Sequence, residues 1–416
     1  MELIQTGENM PGKKRLFLFI CFSFILDIFL FPLTAAAVKE PDTTAEAVVL
    51  MDAGNGQVLY QKNMSRHMFP ASTTKILTAA IALEKGNLSD KVTVMREACL
   101  VDGSRIGLQE GEKLTLEDLL YALLMASAND AAESIAVHLS GSIEDFADLM
   151  NEKAKSIGAL DSNFTNPHGL TDPNHYTTAY DLALIARYAM QNPVFRKIVS
   201  TRIKKISRPD ADRSIGPPQE DLWNHNRLLS RYQGATGVKT GYTNESGQCL
   251  AAAAEKNGRE LIAVLLNDQA GALYVDAGVL LDYGFDNFVS DLVVRNMEKV
   301  TTIGVSRGVR KVDVYTGSSF YYNFQKGQKE QIERSVELYN GIKAPLAAGQ
   351  EIGHLVLTSG RQEVGKVKLF VKEPVKSLPE KSVIILIASL LLTFAAREVY
   401  CVAKRRKRRL GRRYRN

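Results

Sequence analysis

Four cysteines and one tryptophan are the scarcest residues in this 416-residue sequence, and the cysteines sit where they build no disulfide framework. Cys21 lies in an apolar run near the start and Cys401 beside another near the end. That leaves Cys99 and Cys249, which read as two small buried hydrophobes rather than a bridge. Metal chemistry finds as little support. His67, His138, His168, His175, His225 and His354 show no His-Glu-x-x-His spacing, and no Cys-x-x-Cys occurs, so neither a metal nor a cofactor is expected. Tandem repeats and low-complexity tracts are missing. Long apolar runs occur only at the two ends, which argues against a polytopic membrane protein, and 45% apolar with 24% charged residues argues against a disordered chain.

What is present at the ends sets a topology. Lys13-Lys14-Arg15 precede an apolar run over 16–33, and Ala35-Ala36-Ala37 follow it, the pattern of a secretion signal over 1–37 with cleavage after Ala37. A second apolar run covers 382–396 and resumes after Arg397 and Glu398. Its uninterrupted part makes a helix of about 22 Å against a bilayer core of roughly 30 Å, so it spans only if it continues to Ala403. Nine Lys or Arg between Lys404 and Arg415 then act as a cytoplasmic stop signal. The preceding domains are expected outside the cell membrane, with the tail in the cytoplasm. This basic tail also accounts for the net charge of +6. The remainder is mildly acidic, so nucleic acid is not an implied partner.

The length suggests two folded domains plus appendages. Residues 47–60 carry two β-favouring runs around Asn55-Gly56, a hairpin signal. Apolar residues at helical spacing follow from Ser72 to Gly86, over 116–124, 131–139, 143–157 and 178–190. Short β-like runs at 248–254 and 261–266, separated by Lys256-Asn257-Gly258, read as strands in hairpin order, and a helix follows at 273–283. The first domain is therefore read as α+β, a helical block on an antiparallel sheet. After Phe288 come only short strands, at 300–305, 312–315, 352–358 and 364–371, which fit a small all-β module. The expected division is 1–37 signal, 38–288 first domain, 289–374 β domain, 375–381 linker, 382–403 membrane anchor helix and 404–416 basic tail.

Chemistry concentrates in three short patterns. Ser72-Thr73-Thr74-Lys75 opens a predicted helix, and the spacing of three puts a hydroxyl and an amine on one face within hydrogen-bond reach. A partly desolvated Lys at a helix start can accept the Ser proton near neutral pH. Alone, the pair is usually a cap beside a surface lysine. Ser127-Ala128-Asn129 between two helices and Lys239-Thr240-Gly241 beside a strand would singly be a cap and a turn. The three in this order are the set that defines penicillin-binding proteins and class A β-lactamases.

At these residues the sequence resembles the low-molecular-weight penicillin-binding proteins that are serine-type D-alanyl-D-alanine carboxypeptidases, peptidase family S11. Pro70 to Lys75, Asn166-Pro167-His168-Gly169-Leu170, Lys239 to Thr243, Leu281-Asp282-Tyr283-Gly284-Phe285 and Ile342-Lys343-Ala344-Pro345 carry the resemblance, over about residues 45–375. It implies a penicillin-binding, β-lactamase-like transpeptidase domain with a C-terminal β domain and a membrane anchor. It also implies peptidoglycan stem peptides as substrate and β-lactams as inhibitors. Carried over, Ser72 is the nucleophile, Lys75 its base and Ser127 the relay to the leaving amine. Asn129 holds the substrate amide, Lys239 and Thr240 of the Lys239-Thr240-Gly241 triplet dock the terminal carboxylate, and the N–H groups of Ser72 and Tyr242 form the oxyanion hole. His168 and His225 are expected to be structural.

One position departs from the family. Where its members place an Arg that meets the substrate carboxylate, this sequence has Leu273, followed by Tyr274, so Lys239 and Thr240 are expected to bear that role alone. A class A β-lactamase is disfavoured, because its Glu-x-x-Leu-Asn element is missing and it needs no β domain or anchor. A DD-endopeptidase using the same residues on cross-links, and a non-catalytic cell-wall binding or sensing module, stay open as alternatives.

Overall fold

The computed structural model describes residues 39–328, 330–378 and 381–413. The expected signal over 1–37 lies outside them. A five-stranded antiparallel sheet organises the first domain, in the spatial order Val58–Lys62, Ala47–Asp52, Arg259–Asp268, Gly247–Lys256, Ala235–Thr243. The middle strands are apolar without alternation because both faces are covered. Val49, Met51, Ala251, Ala253, Ile262 and Val264 pack into a large core with the helices Lys75–Lys85, Leu116–Met125 and Ala179–Met190. Val48, Leu50, Leu250, Ala252, Leu261 and Leu265 face the helix Leu273–Asn287 on the other side. Truncating one such buried leucine to alanine generally costs about 2–5 kcal/mol.

The expected helices and hairpins occur, with differences at their ends. Ile143–Ile157 begins at Ser142, whose hydroxyl accepts from the Asp145 N–H, and ends at Gly158 in the left-handed region. The Asn257-Gly258 turn has both residues at positive φ, as a tight two-residue hairpin requires. The first hairpin differs: only Gly56 of its Asn-Gly pair has positive φ, and Asp52 Oδ1 accepts from the N–H groups of Gly54 and Asn55, which makes a longer loop. The helix expected from Ser72 starts as a 3-10 turn over Ala71–Thr74 and becomes α-helical only at Lys75.

Among the described residues the β module shows seven strands, three of them beyond the four expected: Phe288–Val294, Phe320–Gln325 and Ile332–Leu338. Residues 375–381 were expected as a linker, yet Val375 is buried and bridges Leu346, and Ser377 bridges Gly308, so the module claims the chain to that point. The terminal helix runs unbroken over Lys381–Arg413, through Arg397 and into the basic tail. Its segment Val383–Lys407, 25 residues, is long and apolar enough to cross a membrane, and none of its apolar window is buried among the described residues.

Candidate active site

Ser72 lies in the 3-10 turn at the start of a buried helix, and that turn sets its relation to Lys75. In a 3-10 turn the side chains at i and i+3 eclipse, which brings hydroxyl and amine together more directly than an α-helix does. Lys75 Nζ donates to Ser72 Oγ at 2.8 Å and to the carbonyl of His168 at 2.7 Å. The lysine is fully buried. Burial holds its pKa well below the ordinary lysine value, the nearby charge of Lys239 lowers it further, and Asp130 partly opposes both.

Ser127 separates the helices Leu116–Met125 and Asn129–Ser140, with φ of 62°. A non-glycine residue in that region is strained, and such strain gathers at functional positions. Neither Ser127 nor Asn129 caps a helix: the cap position is Ala128, without a side-chain bond. Ser127 Oγ instead accepts from Lys239 Nζ at 3.0 Å, and Lys239 also donates to its neighbouring Thr240 carbonyl at 2.8 Å. Asn129 Nδ2 donates to the carbonyl of Asp102 at 2.6 Å, and its buried Oδ1 has no partner among the described residues. The carboxamide is thus turned so that an acceptor is left over.

Lys239, Thr240, Gly241 and Tyr242 stand on the edge strand Ala235–Thr243 itself rather than beside a strand. Burial pushes the Lys239 amine down to about 7. Among the described residues neither Lys75 nor Lys239 has a carboxylate within ion-pair distance. A buried cation without a counter-ion suits an anionic ligand. The strand passes very close to Ser72: a Cβ at Gly241 would lie 2.8 Å from the Ser72 nitrogen.

The structure therefore brings Ser72, Lys75, Ser127, Asn129, Lys239, Thr240, Gly241 and Tyr242 together in one cluster. Leu273 is outside it, buried in the second core, while the Tyr274 hydroxyl donates to the His225 carbonyl and accepts from the Arg227 N–H. His168 and His175 act as supports. His168 Nδ1 accepts from the Leu170 N–H, which leaves Nε2 to face Glu133 at 3.3 Å, and burial lowers its pKa. His175 joins Thr74 Oγ1 at 2.9 Å. Sequence reasoning had assigned no role to His175, Asp130 or Gly169. At Gly169, φ is +86° and a Cβ would strike the Ala71 carbonyl at 1.8 Å, so the loop that carries His168 rests directly on the 3-10 turn that holds Ser72.

Comparison with known proteins follows the same two-part layout. The family described as D-alanyl-D-alanine carboxypeptidase covers residues 34–270, and the one described as penicillin-binding protein 5, C-terminal domain, covers 289–377. The chain is 33% identical over 340 residues to D-alanyl-D-alanine carboxypeptidase DacF of Bacillus subtilis, spanning 80% of this chain and 86% of that one. It is 29% identical over 364 residues to D-alanyl-D-alanine carboxypeptidase DacA of Haemophilus influenzae, spanning 81% and 87%. The crystal structure of penicillin binding protein 5 from Haemophilus influenzae superposes with a TM-score of 0.70 at 28% identity, covering 82% of this chain and all of that one. With likeness in sequence and fold over both domains, the chain belongs to the D-alanyl-D-alanine carboxypeptidase family of serine peptidases.

Proposed function

We infer that this chain is a serine-type D-Ala-D-Ala carboxypeptidase that removes the terminal D-alanine from peptidoglycan stem pentapeptides through an acyl-enzyme on Ser72. The observation that carries this reading is the 2.8 Å contact between Ser72 Oγ and a buried Lys75 amine with a depressed pKa. Neutral Lys75 takes the hydroxyl proton as Ser72 Oγ attacks the carbonyl between the two D-alanines. That proton passes through Ser127 to the leaving amine, D-alanine departs, and water then hydrolyses the ester with Lys75 again as base. Asn129 Oδ1 accepts from the acyl-donor amide, protonated Lys239 and Thr240 hold the terminal carboxylate, and the N–H groups of Ser72 and Tyr242 stabilise the oxyanion.

The relatives' names favour the carboxypeptidase over an endopeptidase or a binding module. β-Lactams, which present a strained amide beside a carboxylate, are read as inhibitors of the same serine. The division into a catalytic domain over 38–288, a β domain that follows it and reaches Ser377, and a membrane anchor over 382–403 is part of the proposal. So is the orientation, with the domains outside the bacterial cell membrane and the basic tail in the cytoplasm; the unburied apolar helix supports the anchor, and the basic run after it supports the orientation. Labelling with a fluorescent penicillin, together with assay of D-alanine release, tests the reading. Wild type should label and release D-alanine, and Ser72→Ala should do neither; equal labelling of the variant refutes it.

A further inference from the structure

Arg208 and Glu112 form an ion pair in which both side chains are at 0% exposure. The contact is bidentate, Nε to Oε1 and Nη2 to Oε2, both at 2.8 Å. Replacing such a pair with apolar residues is often neutral for stability, so stability alone is a weak account of two fully desolvated charges. Their other contacts point to a geometric role. Arg208 Nη1 donates to the Ile106 carbonyl at 2.9 Å and Nη2 to the Gly107 carbonyl at 2.8 Å, while Glu112 Oε2 accepts from the Gln109 N–H at 3.1 Å. The pair grips the backbone of residues 106–112.

The same stretch of chain meets the active site at its other end. Ile106 and Leu108 donate their N–H groups to Asp130 Oδ2 at 3.1 and 3.0 Å. The Ser104 carbonyl accepts from the Asn129 N–H at 2.7 Å, and the Asp102 carbonyl accepts from Asn129 Nδ2 at 2.6 Å. Gly103 lies flat on that carboxamide: φ is +83°, and a Cβ would stand 2.8 Å from Asn129 Nδ2. Residues 102–112 therefore form a strap fixed by Arg208 at one end and laid against Asn129 at the other. The Asp102 carbonyl decides which way the carboxamide faces. Turned over, it would present a donor where the substrate amide N–H needs an acceptor.

We infer that Arg208, paired with Glu112, is a positioning residue for the substrate-amide contact, acting through the strap on the orientation of the Asn129 carboxamide. The inference rests on the reading of Asn129 as the group that holds the acyl-donor amide. Lysine at 208 keeps the charge and loses the planar fork that grips Glu112 and two carbonyls together.

The test is a double-mutant cycle on the full chain, with Arg208→Lys and Asn129→Ala alone and combined. It reads kcat/KM for D-alanine release from a pentapeptide, and Tm in parallel. Arg208→Lys should lower kcat/KM by about tenfold or more in the wild-type background and by less than about twofold beside Asn129→Ala, because the pathway it acts through is already gone. Its effect on Tm should be the same in both backgrounds. An equal loss of activity in both backgrounds overturns the inference. Should Arg208→Lys fail to fold, Gly103→Ala disturbs the strap where it touches Asn129, the same non-additivity is expected, and additivity again overturns it. If Asn129→Ala alone keeps full activity, the underlying reading of Asn129 has failed, and a single variant reveals that separately.

Discussion

Gly241 approaches Ser72 so closely that a Cβ would lie 2.8 Å from the Ser72 nitrogen and 3.1 Å from the Pro70 carbonyl oxygen. Edge strand and nucleophile turn are thus in backbone contact, the arrangement that lets N–H groups from each converge on one oxyanion. Alanine at 241 keeps the strand register, in which Gly241 opposes Cys249, but forces the two backbones apart. Loss of one oxyanion donor generally costs about 10²–10³ in rate. Gly241→Ala is expected to slow acylation by fluorescent penicillin by about 10² with Tm changed by only a few degrees; acylation at the wild-type rate would show that the close approach is not what forms the hole.

The two buried amines make a prediction about pH. Lys75 must be neutral to accept the Ser72 proton, so acylation rises with pH through the depressed Lys75 pKa and is lost below it. Burial is the larger cause of the depression and the charge of Lys239 the next. Lys239→Gln removes that charge, so the Lys75 pKa rises and the acid limb moves to higher pH. Asp130 acts in the opposite sense, and Asp130→Asn should move the limb to lower pH. The pH profile of the second-order acylation rate constant measures both shifts. An acid limb that stays in place in Lys239→Gln contradicts the assignment of Lys75 as the titrating base.

His175 predicts an acid-labile active-site wall. Its Nδ1 accepts from the Thr165 N–H at 3.1 Å, which leaves the Nε2 proton for Thr74 Oγ1. Burial is the main reason its pKa falls from 6.5 to about 3. The folded state therefore holds the ring neutral while the unfolded chain binds a proton below about 6.5, so stability drops as pH falls through that window. The contribution lost between pH 7 and pH 5 is about 2 kcal/mol. Urea unfolding across this range should show the slope, flattened in His175→Gln; an unchanged slope in the variant would assign the acid sensitivity elsewhere.

How far the sequence could be read depended on where each element draws its order. Ile143–Ile157 carries its own period, N-cap and C-terminal glycine, and its ends fall where expected. Ile332–Leu338 carries none: Glu333, Arg334, Ser335 and Glu337 leave no apolar alternation, the strand is exposed nearly throughout, and it exists because Glu351–Ser359 offers it a partner. The site divides the same way. Ser72, Lys75, Ser127, Asn129 and Lys239 stand in short motifs and were legible as such. Arg208 and Glu112, 96 positions apart, were not, since a buried ion pair leaves no local pattern. His175 was passed over because its role is to hold Thr74, a contact that only the fold creates.

The position held by Leu273 yields the last prediction. Its side chain is 4% exposed and packed in the core beneath the sheet, so it presents nothing to the cleft, and the neighbouring Tyr274 spends its hydroxyl on the backbone of His225 and Arg227. On the proposed reading, recognition of the terminal carboxylate then falls to Lys239 and Thr240. Lys239 already shares its amine with Ser127 Oγ and the Thr240 carbonyl, and burial drives its pKa to about 7, so part of the population is neutral at physiological pH before substrate arrives. A single, partly protonated cation should discriminate weakly between an acid and its amide. Amidating the terminal D-alanine of a pentapeptide is expected to lower kcat/KM by less than about tenfold, equivalent to about 1.4 kcal/mol. The small difference should grow as pH falls below 7, where Lys239 gains charge. A preference of a hundredfold or more, independent of pH across this range, would mean that a permanently charged group meets the carboxylate instead.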